Sequence, residues 1–335
     1  MRNYKVAIVG AGQIAHTHLK AMRQSVRSHV VAIADLMEDR VRQVGAEYGC
    51  LAYTDYRKMI VEQKPDIVII TLPHFLHKEA AIWCAGQGCH ILLEKPMALN
   101  VAECMEINAA AERNGITFAV GHIQQFFQEN IAAKAIVASG ELGELVMVND
   151  RRSANYFTAS RPAWFLDRAK SGGGIMINLG SHSIDRIQWL TGTRIARVRA
   201  NMTYFGGHTD VEGSASLYLE TEDEVPAHIS LHGRSGVTAN ELELLFTKGS
   251  MRIRRHGAKL EISKGGPYEE AAVEPTQEPF AAQWDHFLSA LENGTPLSIS
   301  GAYGQSIIAV VEASYRSDET RVEQQVRLDS RIISR

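Results

Sequence analysis

The stretch that decides the fold is Tyr4-Lys5-Val6-Ala7-Ile8-Val9, followed by Gly10-Ala11-Gly12-Gln13-Ile14-Ala15 and then His16-Thr17-His18-Leu19-Lys20-Ala21. An apolar run of strand type stops at two closely spaced glycines and a helix-compatible segment starts at once, which reads as strand, tight turn and helix. Gly10 permits the turn, Gly12 lets the backbone approach a pyrophosphate, and the small Ala15 keeps the helix close to the strand. The first N–H groups of that helix, at Gln13 and Ile14, then face phosphates.

A second apolar run, Val30-Val31-Ala32-Ile33-Ala34, ends in Asp35. An acidic side chain at roughly that distance beyond the glycines holds an adenosine ribose. A carboxylate suits two ribose hydroxyls and repels a 2′-phosphate, so NAD is the expected dinucleotide, while Arg40, one helical turn further on, keeps NADP as the alternative.

At 335 residues the chain exceeds one small core, and two domains are expected, residues 1–122 and 123–335. A formal charge of -3 gives no electrostatic reason to expect nucleic acid or a membrane surface as a partner. Cys50, Cys84, Cys89 and Cys104 make no C-x-x-C pair, which predicts reduced structural thiols in a cytoplasmic protein and no metal site. The apolar run 6–15 lacks a cleavage-type ending and no run reaches membrane-spanning length, so neither targeting nor insertion is expected. The basic cluster 252–259 alternates with apolar residues and reads as the wet face of a strand.

Beyond Asp35, helical patterns at 38–48, up to 63, 76–85 and 101–113 alternate with apolar runs at 67–71, 89–93 and 116–120. Ile67-Val68-Ile69-Ile70 is continuous, as in strands buried on both faces. The alternation predicts an α/β fold with a doubly wound parallel sheet, whose ligand lies beyond the carboxyl ends of the strands. Those ends are Gly10, Asp35, Thr71-Leu72-Pro73-His74, Glu94-Lys95-Pro96 and Gly121-His122. Lys95, held between a glutamate and a proline directly after a buried strand, is the hardest of them to read as an ordinary loop residue.

From about residue 144 the pattern changes. A strand starts at Val146, a long loop holds Trp164, and Gly172-Gly173-Gly174 is read as opening a helix to about 191. Half-exposed strands follow at 215–220, 227–231, 241–246 and 251–254, and helices at 280–292 and 302–317 close the chain. This predicts an α+β second domain on an open, mostly antiparallel sheet, with the closing helices available to pack back on the first domain. On the helix after the glycines, Asn178, His182 and Asp185 share one face, opposite Ile177, Ile184 and Ile187.

Together, Gly10-Ala11-Gly12-Gln13-Ile14-Ala15, Thr71-Leu72-Pro73 with His77, Glu94-Lys95-Pro96, the segment 172–185 with Gly180, His182 and Asp185, and the closing helices resemble the Gfo/Idh/MocA family of sugar and inositol oxidoreductases. The resemblance covers nearly the whole chain. It implies an NAD(P)-dependent dehydrogenase or reductase acting on CH–OH groups, a substrate cleft between the domains, and a C-terminal sheet that builds a homodimer or homotetramer. The expected cofactor set is Gly10, Gly12, Gln13, Ile14, Asp35, Arg40, Thr71, Leu72, Pro73, His74, His77, Glu94 and Lys95.

The resemblance further implies that Lys95 touches both nicotinamide ribose and substrate, that the Lys95–Pro96 bond is cis, and that His182 is the acid/base. The family pattern has an aspartate four residues before the histidine, where this chain has Asn178. An amide positions an imidazole without stabilising its charged form, so His182 is expected to be a weaker base than in typical members. The arginine-containing segment after the fifth strand is here Gln124-Gln125, which implies a different substrate contact. With Trp164 as an apolar platform for a sugar ring, the expected substrate set is Gln124, Trp164, Asn178 and His182, and the expected catalytic set Lys95, His182 and Asn178.

The expected reaction is hydride transfer between nicotinamide and a ring carbon of a sugar or cyclic polyol. A redox-neutral NAD-dependent glycosidase and a non-catalytic NAD- and sugar-binding regulator are the alternatives, the last kept open by Asn178.

Overall fold

A computed structural model describes residues 3–23, 25–204, 209–234 and 236–329. They form two compact units, one from the residues up to 123 together with 277–305, the other from 124–276 together with the residues after 305.

In the first unit, strands β1 (Tyr4–Val9), β2 (Ser28–Ala34), β3 (Leu51–Tyr53), β4 (Ile67–Ile70), β5 (His90–Leu93) and β6 (Phe118–Val120) alternate with helices α1 (Gln13–Met22), α2 (Glu38–Tyr48), α3 (Tyr56–Gln63), α4 (His77–Gly86) and α5 (Val101–Arg113). The sheet order is β3-β2-β1-β4-β5-β6 and every pairing is parallel. All four residues of β4 are buried, as its unbroken apolar run requires. The sequence reading treats 51–53 as a link; the segment instead adds an edge strand along β2, too short and too exposed to carry a readable period.

The second unit holds α6 (Gln128–Ser139), β7 (Leu145–Ser153), α7 (Arg168–Ser171), α8 (Ser181–Thr191), β8 (Ile195–Thr203), β9 (Ser214–Thr221), β10 (Pro226–His232), β11 (Ala239–Phe246), β12 (Gly249–Arg254), β13 (Lys259–Ser263) and β14 (Glu269–Glu270). Then come α9 (Pro279–Asn293), which belongs to the first unit, α10 (Gly301–Thr320) and β15 (Gln324–Gln325). The nine strands run β14-β13-β12-β11-β7-β10-β9-β8-β15, antiparallel throughout except where β10 pairs parallel with β7. Alternation decides which side is buried: in β9, Ala215, Leu217, Leu219 and Thr221 face inward and the residues between them outward. Within the first unit α9 packs on α1, and Trp284 Nε1 donates to Ser28 Oγ at 3.0 Å.

The approach to α8 also departs from the sequence reading. The triple glycine does not open the helix: Gly172, with φ of 82°, ends the short α7 in the left-handed conformation. The helical path starts at Ile175, makes one wide π-type turn over Met176–Gly180, and becomes regular only in α8. Among the described residues no helix is long and apolar enough to cross a membrane, and no group of three or more His, Cys, Asp or Glu side chains has the geometry to hold a metal. The four cysteines are free thiols.

Candidate functional site

The glycine turn of the first unit is clasped from two sides. Gly10 has φ of +103°, and a Cβ there would lie 2.7 Å from the Thr71 carbonyl oxygen, so the end of β4 presses on the end of β1. Thr71 Oγ1 donates to the Gly10 carbonyl at 2.9 Å and closes the contact. Asp35, at the end of β2, accepts the Ala11 N–H on Oδ2 and the Met37 N–H on Oδ1, each at 2.9 Å.

Gly12 is the opposite case, because a Cβ there would meet nothing within 4 Å. Helix α1 starts beside that open space with no side-chain cap, whereas α3 and α5 are capped by Asp55 and Asn100. An uncapped helix start over open space, with Gln13 exposed and Ile14 half-exposed, fits a pyrophosphate. Each Asp35 oxygen keeps a lone pair beyond its backbone bond, which fits two ribose hydroxyls. Arg40 Nη1 lies 3.5 Å from Asp35 Oδ2, so the residue that kept NADP open is engaged by Asp35 itself. These residues fit NAD.

Next along the strand ends, His77 departs from the cofactor contact expected of it. It is fully buried, with Nδ1 2.9 Å from the Pro96 carbonyl and Nε2 2.8 Å from the Leu72 carbonyl. Burial lowers its pKa against the pull of both carbonyls, and the ring ties the two loops together from behind. Thr71, His74 and Glu94 are buried as well, while Leu72, Pro73 and Lys95 keep part of their surface. The Glu94 carboxylate faces inward, 2.8 Å from His18 Nε2, and accepts the Lys95 N–H at 3.2 Å. His18, not singled out in the sequence, is buried on the inner side of α1. The Lys95–Pro96 bond is cis. His122, at the end of β6, is buried, and burial together with the nearby Lys95 charge lowers its pKa to about 3.

In the second unit the expected polar stripe is not a solvent-facing one. Asp185 is buried, and Asn178 nearly so, along with Ile177, Ile184 and Ile187; of residues 180–190 only His182 and Trp189 keep appreciable surface. Gln124 Nε2 lies 3.5 Å from His182 Nδ1, and Gln125 Nε2 donates to Asp185 Oδ1 at 3.4 Å. Arg152, buried on β7, reaches Gln124 Oε1 at 3.4 Å and the His182 carbonyl at 3.3 Å from its Nη2. Behind it Asp150 accepts from Ser183 Oγ at 2.6 Å and from Arg186 Nε at 3.2 Å.

The start of this helix is held by Glu212, which accepts the Gly174 N–H at 2.9 Å, the Met176 N–H at 2.8 Å and the Tyr315 hydroxyl at 3.0 Å. A Cβ on Gly174 would fall 2.2 Å from the Glu212 carbonyl, so the glycine is needed for this approach rather than for a turn. Burial raises the Glu212 pKa despite these donors. Trp164 stacks on Phe165 with centroids 3.7 Å apart, so one indole face is already covered. Arg161 lies 3.9 Å above the Tyr156 ring, and Tyr156 is buried beside Asn178; burial raises the phenol and the Asn178 amide pulls it back.

Gly10, Gly12, Asp35, Arg40, Thr71 and Glu94 with Lys95 are thus gathered in the first unit, and Gln124, Asn178, His182 and Trp164 lie in the second. The sequence reading missed Arg152, Asp150, Arg186 and Glu212. The one signal it held was a pair of charges two residues apart, on the same face of β7.

Residues 4–122 match the family model described as oxidoreductase family, NAD-binding Rossmann fold, and residues 131–252 match the Gfo/Idh/MocA C-terminal domain. Among curated proteins, the 1-carboxy-3-chloro-3,4-dihydroxycyclohexa-1,5-diene dehydrogenase of Comamonas testosteroni is 26% identical over 239 residues, 71% of this chain but only 60% of that protein. The 2,7-anhydro-N-acetylneuraminate hydratase of Mediterraneibacter gnavus is 27% identical over 313 residues, 91% of this chain and 80% of that protein. Among solved structures, aldose-aldose oxidoreductase from Caulobacter crescentus, complexed with glycerol, superposes with a TM-score of 0.89 at 24% identity over 97% of this chain and all of that one, a likeness of fold. With its nucleotide unit and its second unit matched in turn, the chain belongs to the Gfo/Idh/MocA family of NAD-binding oxidoreductases.

Proposed function

We propose that the protein oxidises or reduces a ring carbon of a sugar or cyclic polyol, with Lys95 and His182 addressing the reacting oxygen. Bound NAD supplies the hydride acceptor, or in its reduced form the hydride. A carbinol hydroxyl is too weak an acid to lose its proton unaided, so one side chain must take the proton and another must steady the charge left on oxygen. Lys95 and His182 divide those two duties. The observation that carries this reading is His182 itself: an imidazole left half-exposed on a helix that is otherwise buried along nearly its whole length. A structural histidine in that position would be expected inside, as His77 is. Gln124 and Asn178 orient the imidazole, and Trp164 offers an apolar surface for a ring.

The test follows nicotinamide absorbance with NAD or NADP against inositols, free sugars, sugar phosphates and aryl glycosides. Reduction of NAD by one class, lost in Lys95→Met, is the expected outcome. Silence with every class, in a protein that binds NAD, would overturn the dehydrogenase reading.

A second reading is favoured by the anhydroneuraminate hydratase relative, whose name denotes addition of water with no net oxidation. Under that reading the protein transforms a glycoside or anhydrosugar without net change in NAD. Product release at constant nicotinamide absorbance would select it. Binding of NAD and sugar without either event would select a regulator.

A further inference from the structure

The side chain of Gln124 lies between two groups of unequal hydrogen-bonding character. Its Oε1 faces Arg152 Nη2 at 3.4 Å and its Nε2 faces His182 Nδ1 at 3.5 Å. The two ends of an amide differ little in shape, so their order must follow from their partners. A guanidinium only donates, so the amide oxygen belongs on the Arg152 side and the nitrogen on the His182 side.

Arg152 itself has no freedom to turn away. It is 5% exposed, its Nε lies 3.5 Å from Asp150 Oδ1, and the other acceptor of its Nη2 is the His182 carbonyl at 3.3 Å. Burial and the neighbouring Arg186 bring its pKa down to about 10, which still leaves it charged at neutral pH. Asp150, anchored by Ser183 and Arg186, fixes the far end. Polarity therefore runs one way, from carboxylate through guanidinium and amide to imidazole.

An amide nitrogen donates and does not accept. His182 Nδ1 must then be the acceptor, and the single proton of the neutral ring sits on Nε2. A second proton on Nδ1 would set N–H against N–H. We infer that Arg152 and Gln124 are positioning residues that hold His182 as the neutral Nε2–H tautomer, so that it meets the substrate oxygen as a hydrogen-bond donor and not as a base. This rests on the proposed function above and divides its two duties. His182 steadies the charge on oxygen. The hydroxyl proton passes to Lys95 once that side chain is in its neutral amine form, not the charged form that acts on His122 at rest: the O–H bond breaks, an N–H bond forms, and the hydride leaves carbon for NAD as the carbonyl is made.

The test is nitrogen NMR of the full chain labelled at histidine, with the His182 signals identified by their loss in His182→Asn. The wild-type protein is expected to show a protonated Nε2 and a bare Nδ1 at neutral pH. Gln124→Glu replaces the donor with an acceptor and is expected to move the proton to Nδ1. Arg152→Met releases the amide and is expected to give a mixture of tautomers. A wild-type ring protonated on Nδ1, or a tautomer indifferent to both substitutions, would overturn the inference. No substrate enters this measurement, so a protein that turns over no sugar can still pass it, and an active dehydrogenase can still fail it.

Discussion

Asp35 and Ala11 are joined by a hydrogen bond of 2.9 Å from the Ala11 N–H to Asp35 Oδ2, so the carboxylate at the end of β2 and the glycine turn form one piece. Replacing Asp35 by Ala removes that tie together with the charged acceptors for the ribose. Hydrogen bonds to charged groups contribute about 1.5–3 kcal/mol, so NAD affinity is expected to fall roughly ten- to hundredfold. NADP, no longer repelled and with Arg40 released, is expected to lose less. Calorimetric titration with both cofactors checks this, and unchanged NAD affinity would remove Asp35 from the ribose.

Lys95→Met is expected to leave NAD binding nearly intact, because the Glu94 contacts with His18 and with the Lys95 backbone N–H survive the substitution. Turnover is expected to fall by about two to four orders of magnitude, the range for loss of a proton-transfer group or a charge-stabilising one. Steady-state rates measured beside equilibrium NAD binding separate the two effects. Near-normal turnover would take Lys95 out of the chemistry.

His122 predicts a pH dependence of stability. Burial, and after it the charge of Lys95, hold the folded imidazole at about 3, against 6.5 for an unperturbed one. As pH falls below 6.5 the unfolded chain takes up a proton that the folded chain refuses. This contribution to stability is therefore complete above 6.5 and is lost between 6.5 and about 3, at up to about 1.4 kcal/mol per pH unit. Urea unfolding of wild type and His122→Gln at pH 7 and pH 5 checks it. The variant is expected to lose less stability on acidification, and equal losses would contradict the assignment.

Arg186 has no exposed surface, and with Ser183 and Arg152 it compensates the equally buried Asp150. Burial alone would push the Asp150 carboxyl up; Arg186 first and Arg152 second hold it below its ordinary range. Arg186→Met strands that charge and is expected to cost about 3–5 kcal/mol. Adding Asp150→Asn is expected to recover part of the loss, since the second change removes what the first left unpaired. Denaturant unfolding of the two single variants and the double variant closes the cycle, and strictly additive losses would mean that the pair does not act as a unit.

Local pattern carried the first unit. The run Tyr4–Val9, the glycines at 10 and 12 and the acid at 35 are short-range signals, set by steric freedom, side-chain period and turn chemistry, and the parallel sheet with its helices follows from them. Lys95 and His182 also stood out in the sequence as candidates, each a titratable residue that its neighbours made hard to explain as filler. α6 escaped because its few inward residues, Glu129, Asn130 and Ala133, include two polar ones and mark no apolar stripe.

What no local pattern contains is who faces whom across the fold. His77 reads like a cofactor ligand and is turned inward between two loop carbonyls. The glycines at 173 and 174 read like the opening of a helix and instead make room for Tyr315 and Glu212, far along the chain. Gln124 meets Arg152 and His182, 28 and 58 residues away, only after sheet register and helix packing have brought them together. Composition and spacing name the groups that can donate, accept or titrate. Which of them are opposed, and so which atom of an imidazole carries the proton, depends on distances that exist only once the chain has closed on itself.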